Sequence, residues 1–512
     1  MKDGARDVNG TNQAERVRVL IVGSGFSGLG MAIKLKQEGE SSFVLIERES
    51  SFGGSWRDNT YPGAACDIQS HLYSYSFMPN PNWSRVYAPQ PEILGYMADC
   101  VERGGITNHL RFNTALERAT WNEEEKLWVV QTSQGDYLAE ILIAASGHLS
   151  DPKFPNIPGI HDFTGTTFHS ARWNHDVDLE GKRVGVLGTG ASAIQIVPEV
   201  AKISGNLTVF QRSAPYVVPR MDREYSAAEQ RMFERMPELM QEVRQELFWA
   251  NEARFPQRKG IETFINRVRN LALDHLSAQV ENRELREKLT PDYELGCKRL
   301  LISNVYYPTF LRENVALETT GIDRIEGSDV VLVDGTRTEL DVLIVSTGFE
   351  ASDLPISHLL YGVDGELLAD RWASGGQAYA CSTVNGFPNL FIMNGPNSGL
   401  GAGSIIFVIE CQIEYILGAL RELTERGASR IEVSREAEEE FVAMVEAKAS
   451  DTVWTQGGCK SWYVDPRNGR LTTIWPDFMT HFRRLNGAFD PTPYSYEKRV
   501  QPQVLESALS AN

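Results

Sequence analysis

Apolar runs that end in glycine occur twice in the chain, and each is followed by a helical pattern. From Val17 the chain reads VRVLIVGSGFSGLGMAIKL, and from Val184 it reads VGVLGTGASAIQIV. A buried strand, a glycine turn and an apolar helix make up the dinucleotide-binding unit. The pattern therefore predicts two such units, each with its turn at the carboxyl end of a strand.

The first turn carries the full GxGxxG spacing. Gly23, Gly25 and Gly28 occupy its glycine positions, and a second apolar strand over residues 43–46 ends at Glu47. A carboxylate at that place can accept hydrogen bonds from both ribose hydroxyls of an adenosine. It would repel a 2′-phosphate, so this site suits FAD.

The second turn differs at the corresponding charged position. The step of 24 positions that leads from Gly23 to Glu47 leads from Gly188 to Arg212. A guanidinium can chelate a ribose 2′-phosphate, which favours NADP, although an isolated arginine there would more often be a solvated strand end. The predicted NADP contacts of this unit are Gly188, Gly190, Ser192, Arg212 and Ser213.

The length of 512 residues requires more than one domain. We predict an α/β fold with two dinucleotide-binding, Rossmann-like domains. A discontinuous FAD domain comprises residues 16–150 and 340–490, and an NADP domain comprises 151–339 with a helical insert at about 223–290. A proline-rich connector, DPKFPNIPG, marks the first crossing. Residues 1–15 and 491–512 are expected to be disordered tails.

Charge and composition limit the kinds of molecule that the protein is expected to bind. The formal net charge is −18, which disfavours nucleic acid and anionic membranes, because both need a basic surface. The N-terminal stretch is polar and no apolar run approaches membrane-helix length, so we expect a cytoplasmic protein. The six cysteines show neither a CxxC pair nor metal-like clustering, so we predict no metal site and reduced thiols. These cysteines are Cys66, Cys100, Cys297, Cys381, Cys411 and Cys459.

Two long motifs carry a family resemblance. FTGTTFHSARWN, from Phe163, resembles the FxGxxxHxxxW fingerprint of the Baeyer–Villiger monooxygenases. GGSWRDNTYPGAACD, from Gly53 to Asp67, is similar to their second signature at every specified position. The chain departs from the family pattern at Asn174 and at Ala402 and Gly403, where relatives have other residues.

The resemblance implies roles for residues outside the glycine turns. Arg299 would lie over the flavin as the catalytic cation, with Asp67 beside it, and Lys298 would lie near the NADP 2′-phosphate. His169 would act in linker geometry and domain motion rather than in proton transfer. The further cofactor contacts implied are Gly54, Trp56, Asp67 and Trp462, the last on a mobile loop over NADP or, alternatively, a plain packed tryptophan.

The implied reaction is NADPH-dependent insertion of one oxygen atom beside a ketone carbonyl. Reduced FAD would bind O2 as a C4a-peroxide, and an arginine suits its stabilisation because it stays protonated. The partners are then a small ketone or sulfide and O2, and the oligomeric state stays open. Alternatives are an N- or S-oxidising flavin monooxygenase, a disulfide reductase, which would need a redox cysteine pair beside the flavin, and a non-catalytic NADPH sensor.

Overall fold

The computed structural model describes residues 14–351 and 353–498. Residues 1–13 and 499–512 of the expected tails lie outside the described residues. The expectation of a disordered tail from residue 491 is wrong for residues 491–498, because Tyr494–Glu497 forms a strand that pairs with Arg430–Val433. The strands of the described chain are β1 (Glu15–Val22), β2 (Phe43–Ile46), β3 (Leu110–Arg111), β4 (Leu116–Asn122), β5 (Leu127–Thr132), β6 (Tyr137–Ala144), β7 (Thr166–His169), β8 (Arg183–Leu187), β9 (Asn206–Phe210), β10 (Val217–Val218), β11 (Leu301–Ile302), β12 (Val315–Glu318), β13 (Ile322–Glu326), β14 (Asp329–Leu332), β15 (Arg337–Glu339), β16 (Val342–Val345), β17 (Leu360–Tyr361), β18 (Leu390–Ile392), β19 (Arg430–Val433) and β20 (Tyr494–Glu497).

Helices cover and connect these strands. They are α1 (Phe26–Gln37), α2 (Ser55–Asp58), α3 (Gln90–Gly104), α4 (Ala193–Val200), α5 (Ala227–Arg235), α6 (Pro237–Glu252), α7 (Phe255–Arg258), α8 (Glu262–Gln279), α9 (Arg283–Lys288), α10 (Tyr306–Thr309), α11 (Leu368–Arg371), α12 (Ile405–Arg426), α13 (Arg435–Ala449), α14 (Val453–Gln456) and α15 (Met479–Asn486).

The larger sheet has eight strands in the order β17-β4-β5-β6-β1-β2-β3, with β18 also paired to β6. Its centre is parallel: Val19 of β1 lies opposite Phe43 of β2 and Ile141 of β6. The fully buried β1 and β2 residues are apolar because helices α1, α3 and α12 cover one face of the sheet. Strands from both ends of the chain therefore build this sheet.

The second sheet is parallel throughout, in the order β12-β9-β8-β16-β7. Strand β16 was expected in the first domain, but Val342 pairs with both Val184 and Thr166. The chain therefore returns to the first sheet only after Val345. The α/β class with two dinucleotide-binding domains is confirmed. The exact domain boundaries stay a proposal, in which the chain now returns to the first domain at about residue 346.

Helices α5 to α9 form the insert, between the paired strands β10 and β11. The first of these helices begins at a capping box, in which Ser226 Oγ accepts a hydrogen bond from Glu229 N and the Glu229 carboxylate accepts one from Ser226 N. Because β10 and β11 lie side by side, the insert leaves and rejoins the second domain at one place.

Candidate functional site

The first glycine turn follows β1 and is tightly enclosed. Gly23 has φ +102°, and a Cβ there would lie 2.7 Å from the carbonyl oxygen of Ala145. A Cβ on Gly28 would collide with the carbonyl oxygen of Gly23. Only glycine therefore permits the strand-to-helix turn to pack this closely against its own helix.

Gly25 and Gly54 face one another across the same turn. A Cβ on Gly54 would lie 3.1 Å from Gly25 Cα. Gly54 precedes α2, in which Trp56 donates a hydrogen bond from Nε1 to the Tyr73 hydroxyl at 3.0 Å. Two bare stretches of backbone thus meet at the amino end of α1, where a diphosphate can be bound by peptide N–H groups.

Glu47 is buried at the carboxyl end of β2, beside this turn. Its Oε2 accepts hydrogen bonds from Ser24 N at 3.0 Å and Ser24 Oγ at 2.7 Å. Its Oε1 accepts one from Glu49 N at 3.0 Å and lies 3.3 Å from Nη1 of Arg57. Sequence reasoning missed Ser24 and Arg57, although Arg57 stands inside the GGSWRD segment. A bound ribose would exchange with one of these donors, because the carboxylate has about four acceptor positions.

The second glycine turn follows β8. Gly188 has φ +113°, and a Cβ there would lie 2.5 Å from the carbonyl oxygen of Ser346. Around Gly190, by contrast, a Cβ would meet no atom within 4 Å among the residues described. Ser192 is the N-cap residue of α4. The amino end of α4 therefore opens onto free space, as an anion site requires.

Arg212, Ser213 and Lys298 gather at the edge of this second site. Lys298 Nζ donates to Ser213 Oγ at 2.8 Å and lies 4.4 Å from the ring centroid of Tyr293. Burial, and then the neighbouring charge of Arg212, lower the pKa of Lys298. Neither cation forms an ion pair with any residue in 14–351 or 353–498. Two uncompensated cations and a hydroxyl are suited to a phosphate dianion.

Arg299 and Asp67 form an ion pair that joins the segment before β11 to the loop after α2. Arg299 Nη2 lies 2.6 Å and Nε 2.8 Å from Asp67 Oδ2. The carboxylate raises the pKa of Arg299, so the guanidinium stays charged, yet 39% of its side chain remains exposed. Tyr463 is buried nearby, and burial raises the pKa of its phenol against the opposing charges of Arg299 and Arg258. A fixed, accessible cation thus lies in the cleft.

Known proteins are similar to this chain over nearly its whole length. A Baeyer-Villiger monooxygenase from Pseudomonas aeruginosa is 42% identical over 482 residues, which are 94% of this chain and 92% of that protein. The chain belongs to the Baeyer–Villiger monooxygenase family. A model of the pyridine nucleotide-disulphide oxidoreductase family also matches residues 20–250.

Solved structures agree with the family assignment. Cyclohexanone monooxygenase from Rhodococcus sp. Phi1 bound to NADP+ superimposes with a TM-score of 0.84 at 27% identity, covering 95% of this chain and all of that one. The OTEMO complex with FAD and NADP gives a TM-score of 0.82 at 25% identity, covering 94% of this chain and all of that one. FAD and NADP are therefore the cofactors of this family member, which is an oxidoreductase.

The residues present fit both cofactors. The bare backbone of Gly25 and Gly54 and the Glu47 carboxylate suit the FAD diphosphate and ribose. A further polar atom, the buried Asn394 Oδ1, finds no partner within the described residues, while Asn394 Nδ2 donates to Ser27 Oγ at 2.8 Å. An unsatisfied acceptor beside the first turn indicates a place for a donor from a bound group.

Trp462 lies at the domain crossing rather than beside Arg212. Its ring centroid is 5.9 Å from that of His148 and 4.6 Å from that of Tyr463, and the residue is 39% exposed. His148, which sequence reasoning missed, directly follows Gly147 at the start of the connector. The role of Trp462 as a residue over NADP stays a prediction.

His169 is buried between the two connectors that join the domains. Its ring centroid lies 5.8 Å from Phe154 and 5.9 Å from Phe349, and its Nδ1 accepts a hydrogen bond from Ala171 N at 3.1 Å. Burial lowers its pKa to about 4, so the imidazole is neutral. A neutral ring packed against both connectors favours the predicted linker role over proton transfer.

The expectation of six reduced cysteines is wrong. Cys297 and Cys459 form a disulfide across 162 positions, with their Cα atoms 6.2 Å apart. Spacing could not reveal this pair, because the fold alone brings the two segments together. The other four cysteines are free and buried: Cys66, Cys100, Cys381 and Cys411.

Neither a membrane-spanning helix nor a metal-binding cluster occurs within residues 14–351 and 353–498. No helix there is long and apolar enough to cross a membrane. No group of three or more His, Cys, Asp or Glu side chains there could hold a metal ion.

Proposed function

We propose that Arg299 and Asp67 are the catalytic pair of an NADPH-dependent Baeyer–Villiger oxidation that converts a ketone to an ester or lactone. The observation that supports this most directly is the Asp67–Arg299 ion pair, in which the guanidinium is still accessible. The small-molecule substrate and O2 follow from the family. The choice of a ketone, and these residue roles, are the proposal.

Arg299 supplies a permanent positive charge where negative charge develops during oxygen transfer. FAD, when bound and reduced by NADPH, supplies the activation of O2. Because Asp67 raises the pKa of Arg299, the guanidinium stabilises an anion without giving up its proton. Asp67 Oδ2 accepts a hydrogen bond from Arg299 Nε and forms an ion pair with Nη2, and so fixes the orientation of the guanidinium.

The cofactor contacts divide between the two domains. Glu47, Gly23, Gly25, Gly28, Gly54 and Trp56 serve the FAD side, whereas Gly188, Gly190, Ser192, Arg212, Ser213 and Lys298 serve the NADP side. Support for the second group comes from the hydrogen bond of Lys298 to the Ser213 hydroxyl and from the nearby charge of Arg212. Trp462 would exclude water from the cleft between the two groups.

Sulfides are the second substrate class in the proposal. An electron-rich sulfur could take the same oxygen atom, but sulfoxidation leaves no carbonyl adduct whose negative charge needs Arg299. Dependence on Arg299 therefore distinguishes ketone from sulfide oxidation. We also propose a cytoplasmic location, where NADPH is supplied.

A product panel with isotopic oxygen tests the proposed function. Purified enzyme is given NADPH, 18O2 and cyclic, linear and aromatic ketones, with methyl phenyl sulfide alongside. An ester or lactone that contains one 18O atom, with one NADPH consumed per product, is expected. NADPH oxidation that yields only hydrogen peroxide across the whole panel would overturn the proposal. A parallel run with Arg312→Ala, at an exposed arginine that donates a hydrogen bond to Asn314, controls for loss of a surface cation.

A further inference from the structure

The disulfide joins two segments that each carry one predicted NADP contact, Lys298 in one and Trp462 in the other. Cys297 directly precedes Lys298 and stands two positions before Arg299. Cys459 stands three positions before Trp462 and four before Tyr463. One covalent bond therefore connects the cationic segment 296–299 with the segment 457–465, which we call the Trp462 loop.

We propose that the Cys297–Cys459 bond is a reversible redox latch, which holds the Trp462 loop over the NADP site when oxidised and releases it when reduced. The inference rests on the proposed NADP contacts of Lys298 and Trp462. It adds a regulatory input that the reaction itself does not need.

The latch matters because little else holds the first half of the Trp462 loop. Helix α14 ends at Gln456, and Gly457 N donates to Val453 O at 2.9 Å. In the described part of the chain, residues 458–460 make no backbone hydrogen bond. The contacts resume at Ser461, whose Oγ accepts a hydrogen bond from Tyr463 N at 3.3 Å, and the Trp462 ring follows, packed against His148. Without the bond, residues 458–460 are the part of this loop that is free to move.

The Trp462 loop packs closely against Cys297 at the bond. A Cβ on Gly457 would lie 2.9 Å from Cys297 Cβ, so only a glycine lets the loop come this close. Cys297 is fully buried, whereas Cys459 is half-buried. Of the two cysteines, Cys459 is therefore the more accessible to an external thiolate.

Reduction proceeds by thiol–disulfide exchange with a dithiol. The first thiolate of the reductant attacks Cys459 Sγ, the S–S bond breaks, and Cys297 leaves as a thiolate that takes up a proton. The second thiolate of the reductant then displaces Cys459, which is protonated in turn. The reductant becomes a disulfide, and two electrons have passed to the enzyme. Glutathione disulfide reverses the sequence.

A catalytic role in disulfide reduction fits the geometry less well. A redox-active pair exchanges electrons with each turnover and needs one sulfur open to a large substrate. Here the two cysteines come from distant segments, and the buried Cys297 lies behind Gly457. The bond is placed to join two segments rather than to receive a substrate.

The first test counts thiols and measures NADP+ binding in the holoenzyme. Denatured, oxidised enzyme should show four free thiols with Ellman's reagent, and enzyme treated with dithiothreitol should show six. Reduction should raise the dissociation constant of NADP+ about three- to tenfold, because the loop must then be ordered on binding. The yield of hydrogen peroxide per NADPH should rise in parallel.

Variants distinguish the latch from general effects of the reductant. Cys297→Ser/Cys459→Ser should start with the weaker NADP+ binding of the reduced enzyme and should not respond to dithiothreitol. Cys459→Ser alone serves if the buried Cys297 tolerates no change. Cys100→Ala, which removes a free buried cysteine on α3, should respond to dithiothreitol as the wild type does.

Two results would overturn the latch. One is a confirmed gain of two thiols with no change in NADP+ binding or peroxide yield. The other is six free thiols that persist after treatment with glutathione disulfide. If either result is found while the enzyme still forms ester, the latch proposal is wrong and the proposed function is unaffected. Absence of NADPH oxidation and of ester in both redox states contradicts the proposed function instead.

Discussion

Arg299 directs Nε and Nη2 to the same oxygen of Asp67, Oδ2, at 2.8 and 2.6 Å. The two residues are 232 positions apart in the chain. The shared oxygen leaves Nη1 of the guanidinium outside the pair. One edge of Arg299 is therefore fixed by the protein, and another remains available to a reacting group.

Replacing Arg299 with alanine should separate cofactor reduction from oxygen insertion. Arg299→Ala should retain FAD, slow NADPH oxidation only partly and abolish ester formation, with hydrogen peroxide as the remaining product. The reason is that hydride transfer needs stacked rings, whereas the later adduct needs a fixed cation. Stopped-flow reduction and product analysis measure both steps, and ester formation at near wild-type rate would contradict the assigned role.

Asp67→Ala should give a milder version of the same defect. The carboxylate orients Arg299 and does not touch the substrate. The ester yield should therefore fall without reaching zero, and the peroxide yield should rise. In a double-mutant cycle, Arg299→Ala/Asp67→Ala should be no worse than Arg299→Ala alone. Additive losses would show that Asp67 acts independently of Arg299.

Arg212→Ala should change coenzyme preference. The KM for NADPH should rise by the equivalent of about 1.5–3 kcal/mol, while the KM for NADH changes little, because only NADPH carries the 2′-phosphate. Lys202→Ala is a matched control, since Lys202 is an exposed cation of the same domain paired with Glu199. Equal effects of Arg212→Ala on both coenzymes would exclude a contact with the phosphate.

Glu47→Lys should yield protein with poor FAD retention. A second cation would then be buried beside Arg57, and the acceptor for Ser24 would be lost. Glu47→Gln, which keeps the shape, should lose less flavin. Flavin content is read from the visible spectrum after gel filtration, with Glu49→Gln as the exposed control. Unchanged flavin content in both Glu47 variants would place FAD elsewhere.

Stability should fall as the pH drops from 6.5 towards 4. Burial lowers the pKa of His71 and of His169 to about 4, from the usual 6.5. Between pH 6.5 and 4 the unfolded chain binds protons that the folded chain does not. Each histidine should therefore lower the free energy of unfolding by about 1–2 kcal/mol by pH 5. The free energy of unfolding, measured with urea between pH 5 and 7, should depend less steeply on pH in His169→Gln than in wild type. His358→Asn, at a side chain that is 55% exposed, should show the wild-type dependence; identical slopes for all three proteins would refute the assignment.

Local patterns predicted the parts of the fold and site that depend on neighbouring residues. The glycine turns, Glu47 and Arg212 follow from strand, turn and helix spacing, and the structure places each at the expected end of a strand. The Asp67–Arg299 pair could be expected only from motifs, since no periodicity links residues so far apart.

The features that the sequence did not predict depend on contacts between residues far apart in the chain. The disulfide joins a buried cysteine to one 162 positions away, and Arg57 reaches Glu47 only because the loop folds back over the turn. Strand β16 was placed in the wrong domain because its apolar run, VLIV, is equally typical of either sheet.

Strand β18 pairs with the carboxyl-terminal part of β6, where Leu390 lies opposite Leu142. On the ribosome, the entire second domain emerges between these two strands. The second domain is one continuous segment and can fold on its own. The last residues of β6, next to the turn at Gly23, keep an unpaired edge until residue 392 has been synthesised. Biosynthesis therefore sets an order in which the domain for the diffusible coenzyme is finished before the pocket for the resident flavin exists.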